Sequence, residues 1–253
     1  MEIKDMDWAT PTNKNKERLL REWEARFCEI EQSKRHWRVG RSAHSLADFF
    51  IYHHGEDRIM AEVNKVLVQD PIIELMEAEI ECKCPFDDYR NARRQDMGIV
   101  GKTKNGKKVF IGVEAKVDEP FGPTVGKALQ EAEAYVRQHP GSKRVTRIIE
   151  LCGKFDVKPE DEGISDLRYQ LFHFAAGTAS VPRNGCDWIS RCGGIDDHVM
   201  MTLVFKTGEY SEDKGLANKQ DYDRFLELFF KDGRLKKVGF PVCPVAIYCE
   251  IPL

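Results

Sequence analysis

The chain has 253 residues, 42% of them hydrophobic and 32% charged, with a net charge of −3 and a pI near 6.2. That composition excludes a fibrous or disordered chain, and no apolar run approaches the ~18–20 residues of a membrane span. The slightly acidic balance gives no global electrostatic footprint for nucleic acid.

The length suits one core with an extension: a helical N-terminal extension over 1–40 and an α/β domain over 41–253. The opening MEIKDMDWATPTNKNKERLL lacks the apolar segment of a secretory signal, so a cytoplasmic protein is expected. Residues 1–13 read as a loose tail. Leu19, Leu20, Trp23, Phe27 and Ile30 then mark one face of a helix over 17–30. Helices follow over 42–53 and 56–68, and a strand over 75–84 is closed by Pro85. The polar loop PFDDYRNARR leads to a short strand near 96–100. Asn105-Gly106 marks a hairpin, and 109–116 is almost continuously apolar, as in a buried central strand. After the loop DEPFGPT come helices over about 125–138, 143–153 and 166–179. A strand over 199–206, a helix over about 219–231 and a terminal strand, VCPVAIYCEI, complete the chain. This order predicts a mixed sheet flanked by helices.

The eight cysteines, at 28, 82, 84, 152, 186, 192, 243 and 249, include no paired CxxC knuckle. They are expected to be small buried hydrophobes, without zinc or disulfides. Cys82 and Cys84, two apart on a strand, should share a face. Trp8, Trp23, Trp37 and Trp188 read as core or interface anchors rather than base-stacking platforms. Lys102, Lys104, Lys107, Lys108 and the pair Arg93–Arg94 read as solvated turns.

The chemistry concentrates at the end of the central strand, Glu114-Ala115-Lys116. Ionised groups are costly to bury without partners, and the period of two points Glu114 and Lys116 to one face. Taken alone, the pair fits a salt bridge at a fraying strand end. Register bears on that reading. A two-residue hairpin loop pairs positions summing to 211 and sets Asp96 on the wrong face; a three-residue loop, Lys104 to Gly106, pairs positions summing to 210. In the second register Asp96 stands opposite Glu114, and Gly98 and Gly112 leave room for a ligand. Two carboxylates can hold Mg²⁺, and a lysine beside them can stabilise charge at phosphorus.

Asp96 followed by Glu114-Ala-Lys116 resembles the PD-(D/E)xK, restriction-endonuclease-like nuclease superfamily, and an uncharacterised bacterial family within it. WRVGRSAHSLADFF, VEAKVDEPFGPTVG and LRYQLFHFAAGTAS carry the likeness, which runs from about residue 37 to 230. The resemblance implies a restriction-endonuclease-like α/β fold, with Asp96 and Glu114 holding Mg²⁺ or Mn²⁺ and Lys116 assisting catalysis. It also brings Gln170 to the site and makes Glu81 an additional metal ligand, although Cys82 stands where a histidine is expected and Arg94-Gln95, not proline, precede Asp96. The implied activity is hydrolysis of phosphodiesters in nucleic acid, DNA ahead of RNA, with no membrane partner and a homodimer left open. Two alternatives stand beside it: an inactive nuclease-fold module binding nucleic acid or protein, and a hydrolase of small phosphate compounds. Arg168, Tyr169 and His173 read as helix-surface or packing residues, Glu62 as an exposed charge, and Asp118 and Glu119 as outside the site.

Overall fold

The computed structural model describes residues 1–32, 35–182, 189, 193–236 and 239–253. Trp188, Cys186 and Cys192 lie outside the described residues.

The chain forms a mixed sheet of eight strands with helices on both faces. The strands are β1 (Glu2–Ile3), β2 (Ile72–Lys83), β3 (Arg94–Thr103), β4 (Lys108–Lys116), β5 (Asp197–Lys206), β6 (Phe230–Lys231), β7 (Arg234–Leu235) and β8 (Val245–Pro252), in the spatial order β1-β2-β3-β4-β5-β8-β7-β6. β2, β3 and β4 form an antiparallel meander, whereas β4, β5 and β8 run parallel. The short β1 pairs with β2 in a stretch expected to be a loose tail; two residues are too few to show strand periodicity.

Helices α1 (Lys16–Glu31), α2 (Ser42–Tyr52) and α3 (Gly55–Val66) cover one face. Leu19 and Trp23 of α1 and Ile59 and Val63 of α3 pack there against the odd-numbered side chains of β4 and β5. Helices α4 (Val125–Gln138), α5 (Arg144–Gly153), α6 (Tyr169–Ser180) and α7 (Glu212–Phe229) build the second core, where Phe172, Phe225 and Phe229 meet around Phe155. α7 starts earlier than its apolar periodicity indicated, because Gly215 and Asn218 are buried there without contributing hydrophobic signal.

Trp23 is buried, and Trp8 and Trp37 are partly buried against the same core. Cys28, Cys152, Cys243 and Cys249 carry free thiols, and Cys82 and Cys84 sit together in one small buried cluster. Among the described residues no helix is long and apolar enough to cross a membrane.

Candidate active site

The β3–β4 hairpin takes the register whose pairs sum to 210. Lys102 pairs with Lys108, Gly98 with Gly112 and Met97 with Val113. Gly106, at φ 82°, closes the three-residue loop, and the Thr103 amide donates to the Lys107 carbonyl at 2.8 Å. Glycine adopts that left-handed backbone at no steric cost, which explains why the loop ends there.

The pleat is less regular than the register. Gln95 turns towards α6, where its amide donates to Thr178 Oγ1 at 2.9 Å, while Met97 joins the core beneath α1–α3. Both faces are thus served two residues apart, so strict alternation breaks across Asp96. The neighbouring strand breaks in the same place. Ile80 belongs to the core beneath α1–α3 and Cys82 to the small buried cluster with Cys84 and Phe110, with Glu81 between them at φ 51°. A left-handed glutamate costs of order 1–3 kcal/mol, and such strain concentrates at functional sites.

Asp96 therefore does not simply share a face with Glu114. Its carboxylate lies at the end of the ladder, where Oδ2 accepts the Ala115 amide at 2.6 Å in place of a strand carbonyl. It opens into a cavity of about 550 Å³ that Glu81, Glu119, Arg38 and Arg41 also line. Glu114 and Lys116 face the opposite layer and are buried. Glu114 Oε1 accepts from Lys116 Nζ at 2.6 Å and from Gln170 Nε2 at 2.5 Å. The Glu-x-Lys pair is a salt bridge, but a buried one rather than a frayed surface pair.

The loop after β4 brings Gln170 to this point. Gly122, at φ 65°, reverses the chain, and Thr124 caps α4 by accepting the Lys127 amide at 3.3 Å. The Val125 amide then bonds to the Leu167 carbonyl and the Tyr169 amide to the Pro123 carbonyl, at 2.8 and 3.0 Å. This zipper fixes the start of α6 beside the end of β4, so Gln170 reaches Glu114 from the first turn. Gln170 also lines a second cavity, of about 630 Å³, with Tyr169, His173 and Arg93.

The two glycines do not leave room for a ligand, contrary to expectation. A Cβ at Gly112 would overlap Gln95 Oε1 and stand 2.7 Å from Thr178 Oγ1, and one at Gly98 would stand 2.6 Å from Cys82 Sγ. They let side chains and α6 close on the sheet instead.

The electrostatics follow from burial. Burial, then the Glu114 charge, pushes the Asp96 carboxyl up to about 8, against the opposing pull of Lys116 and the Ala115 amide. Burial and the Asp96 charge likewise hold Glu81 well above the usual carboxylate range. Burial would lower the Lys116 ammonium, but Glu114 and Asp96 outweigh it and keep it raised. His173 is pushed well below its ordinary value by burial and by Arg93, Arg147 and Lys116, so it is neutral.

Between about pH 4 and 8 native Asp96 holds a proton that the unfolded chain has released, so its contribution to stability falls as pH rises through that window. In chelator, Asp96→Asn should remove much of this slope, with Glu81→Gln removing more. Melting temperatures between pH 5 and 8 check this; a slope unchanged in Asp96→Asn would contradict it.

The oxygen donors of Asp96 and Glu114, with the one Lys116 ammonium beside them, suit a hard divalent cation held by one or two carboxylates and completed by water. Glu81 is not brought into a ready-made cage with them. Among the described residues no three His, Cys, Asp or Glu side chains stand close enough to hold a metal ion. Glu81 opens into the Asp96 cavity while Glu114 turns towards Gln170.

Glu119, expected to lie outside the site, lines the Asp96 cavity, and its charge helps raise Asp96. Its Oε2 accepts the Val117 amide at 2.7 Å, which holds the carboxylate against the end of β4. Asp118 is buried between Arg41, at 2.7 Å, and Lys214, at 3.2 Å. The stretch VDEPFGP held the signal for both. Arg168 pairs with Asp221 of α7 at 2.5 Å, and Glu62 with Lys65 of the next turn at 2.6 Å.

The sequence model of one family, described as a domain of unknown function (DUF6946), matches residues 18–248. The chain belongs to the DUF6946 family. No curated protein and no solved structure matches it. The DUF6946 match runs from within α1 to the middle of β8, so it covers Glu81, Asp96, Glu114, Lys116 and Gln170.

Proposed function

We propose that this chain is a metal-dependent phosphodiesterase acting on nucleic acid, DNA ahead of RNA, within a restriction-endonuclease-like version of the mixed sheet. The supporting observation is the buried Glu114–Lys116–Gln170 cluster at the end of β4, beside an Asp96 carboxyl whose ionisation burial and the Glu114 charge oppose. Asp96 and Glu114 would hold Mg²⁺ or Mn²⁺. Such an ion supplies polarisation of the phosphoryl group and a bound water of lowered pKa.

The side chains supply the rest. The Ala115 amide fixes Asp96, and Gln170 fixes Glu114, so both carboxylates are oriented before substrate arrives. Lys116 is fully charged and sits on Glu114, from where its ammonium can turn to a developing negative charge at phosphorus. Gln170 donates without carrying charge, so the cluster is net negative once Asp96 and Glu114 are both ionised, as they would be on binding the cation. A cytoplasmic location and a homodimer remain compatible with this reading.

One observation favours an inactive nucleic-acid-binding module. Glu114 Oε1 is already satisfied by Lys116 and Gln170, so the cluster is stable without a ligand. A single experiment separates the two: incubation of wild type and Glu114→Ala with plasmid, single-stranded DNA and RNA, each with Mn²⁺ or chelator. Metal-dependent cleavage by wild type alone is the expected result. Cleavage by both proteins, or by neither, would sink the proposed activity.

A further inference from the structure

The Gln170 cavity does not end at Gln170. It shares Asn91, Arg144 and Arg147 with a neighbouring cavity of about 560 Å³, which Arg90, Lys143, Tyr135 and His139 help line. The two form one groove between the β2–β3 loop and the α4–α5 turn.

Its charge is one-sided. Arg90, Arg93, Lys143 and Arg144 are exposed and have no carboxylate partner among the described residues, and Glu131 is the only acid lining either cavity. Arg147 is different. It clamps Asp87 through Nε at 2.6 Å and Nη2 at 3.0 Å, and donates to the Asn91 carbonyl at 2.8 Å, fixing the loop that carries Arg90 and Arg93.

The groove also holds a planar stack. His139 lies 4.1 Å from Tyr135, with ring planes 13° apart, and the Arg144 guanidinium is 3.6 Å from the Tyr135 centroid. Two groups cannot share one ring face at those distances, so Tyr135 is sandwiched. The outer planes of His139 and Arg144 remain, and both residues are exposed. Bases stack on histidine rings and on guanidinium planes as they do on other aromatic faces.

We propose that this groove binds an unpaired polynucleotide strand, with phosphates on Arg90, Arg93 and Lys143 and bases stacked on the His139–Tyr135–Arg144 column. Duplex bases keep their faces covered and cannot use the column, so the groove selects single strands. An acidic peptide would satisfy the cations but leave the stack unused. The groove leads to Gln170, so the inference deepens the phosphodiesterase reading and rests on it for the purpose of the bound strand.

The test is fluorescence anisotropy in chelator with a fluorescein-labelled dT dodecamer, the matching duplex, and a poly-glutamate dodecamer as competitor. Wild type should bind the single strand more tightly than the duplex. Arg90→Ala/Arg93→Ala/Lys143→Ala should lose at least about tenfold, with the slope against log salt reduced by about 2 for three lost phosphate contacts. His139→Ala should weaken the single strand with little change in salt slope. Lys102→Ala/Lys104→Ala, on the distant hairpin, should bind as wild type does. Equal binding by the groove variants, preference for duplex, no binding by wild type, or full displacement by poly-glutamate at equal concentration would each overturn the groove. Binding that depends on the groove in a protein that cleaves nothing would retain the groove and remove the phosphodiesterase reading. Cleavage that ignores the groove variants would do the reverse.

Discussion

Lys116→Met should lower the stability of the metal-free protein by about 3–5 kcal/mol, the usual cost of removing one member of a buried ion pair. Glu114 and Lys116 meet at 2.6 Å with both side chains almost fully enclosed. Removing the ammonium leaves a carboxylate with one neutral donor, Gln170, and no water shell to replace the lost charge. At roughly 2–4 °C per kcal/mol for a chain of this size, the melting temperature should fall by about 10 °C. Glu114→Gln in the same background should restore most of the loss, since the uncompensated charge disappears with it. Thermal melts in chelator of wild type, both single variants and the double variant measure the coupling. Additive single effects would show that the pair is not energetically coupled.

Mn²⁺ should act on the same cluster in the opposite direction. The Glu114 charge raises the cost of ionising Asp96, and a divalent ion bound only by the native state removes that repulsion. At 100 times its dissociation constant such an ion stabilises by about 2.7 kcal/mol, which corresponds to a rise of about 5–10 °C. Glu114→Ala should abolish the rise, while its metal-free form loses the partner of Lys116 along with the repulsion on Asp96. Melting with and without Mn²⁺ at constant ionic strength checks this. An equal metal response in both proteins would place the binding elsewhere, and no response in either would leave the inactive module ahead.

Much of the frame was legible in the sequence because it depends on local rules. Asn105-Gly106 limits the hairpin to a few loop types, and the positive φ of Gly106 selects the register found. Leu19, Trp23 and Phe27 mark the buried side of α1 by spacing alone. The switch of faces at Glu81 and Asp96 had no such marker, because a left-handed glutamate looks like any other glutamate in a strand. The glycines misled for a related reason: space above a missing side chain is filled by whatever packs there, here Gln95, Thr178 and Cys82. Gln170 was found through a family resemblance, since nothing in the periodicity of α6 sets it apart from an ordinary surface amide. The cationic groove was hidden in an acidic total, with Arg90 and Arg93 on one loop and Lys143 and Arg144 some 50 residues further along.

The strand connections set a timetable for assembly. The Asp96–Ala115 bond closes a loop of 19 residues inside a meander of adjacent strands, whereas Gln170 reaches Glu114 across 56 residues, after two helices and before β5. Closing the longer loop costs more chain entropy, and contacts distant in sequence form later. A refolding chain should therefore protect the Ala115 amide from hydrogen exchange before the amides of α6, and pulse labelling that found both protected together would refute this order. The carboxylates are thus aligned on a half-built sheet, exposed to solvent cations, before the layer that carries Gln170 closes over Glu114.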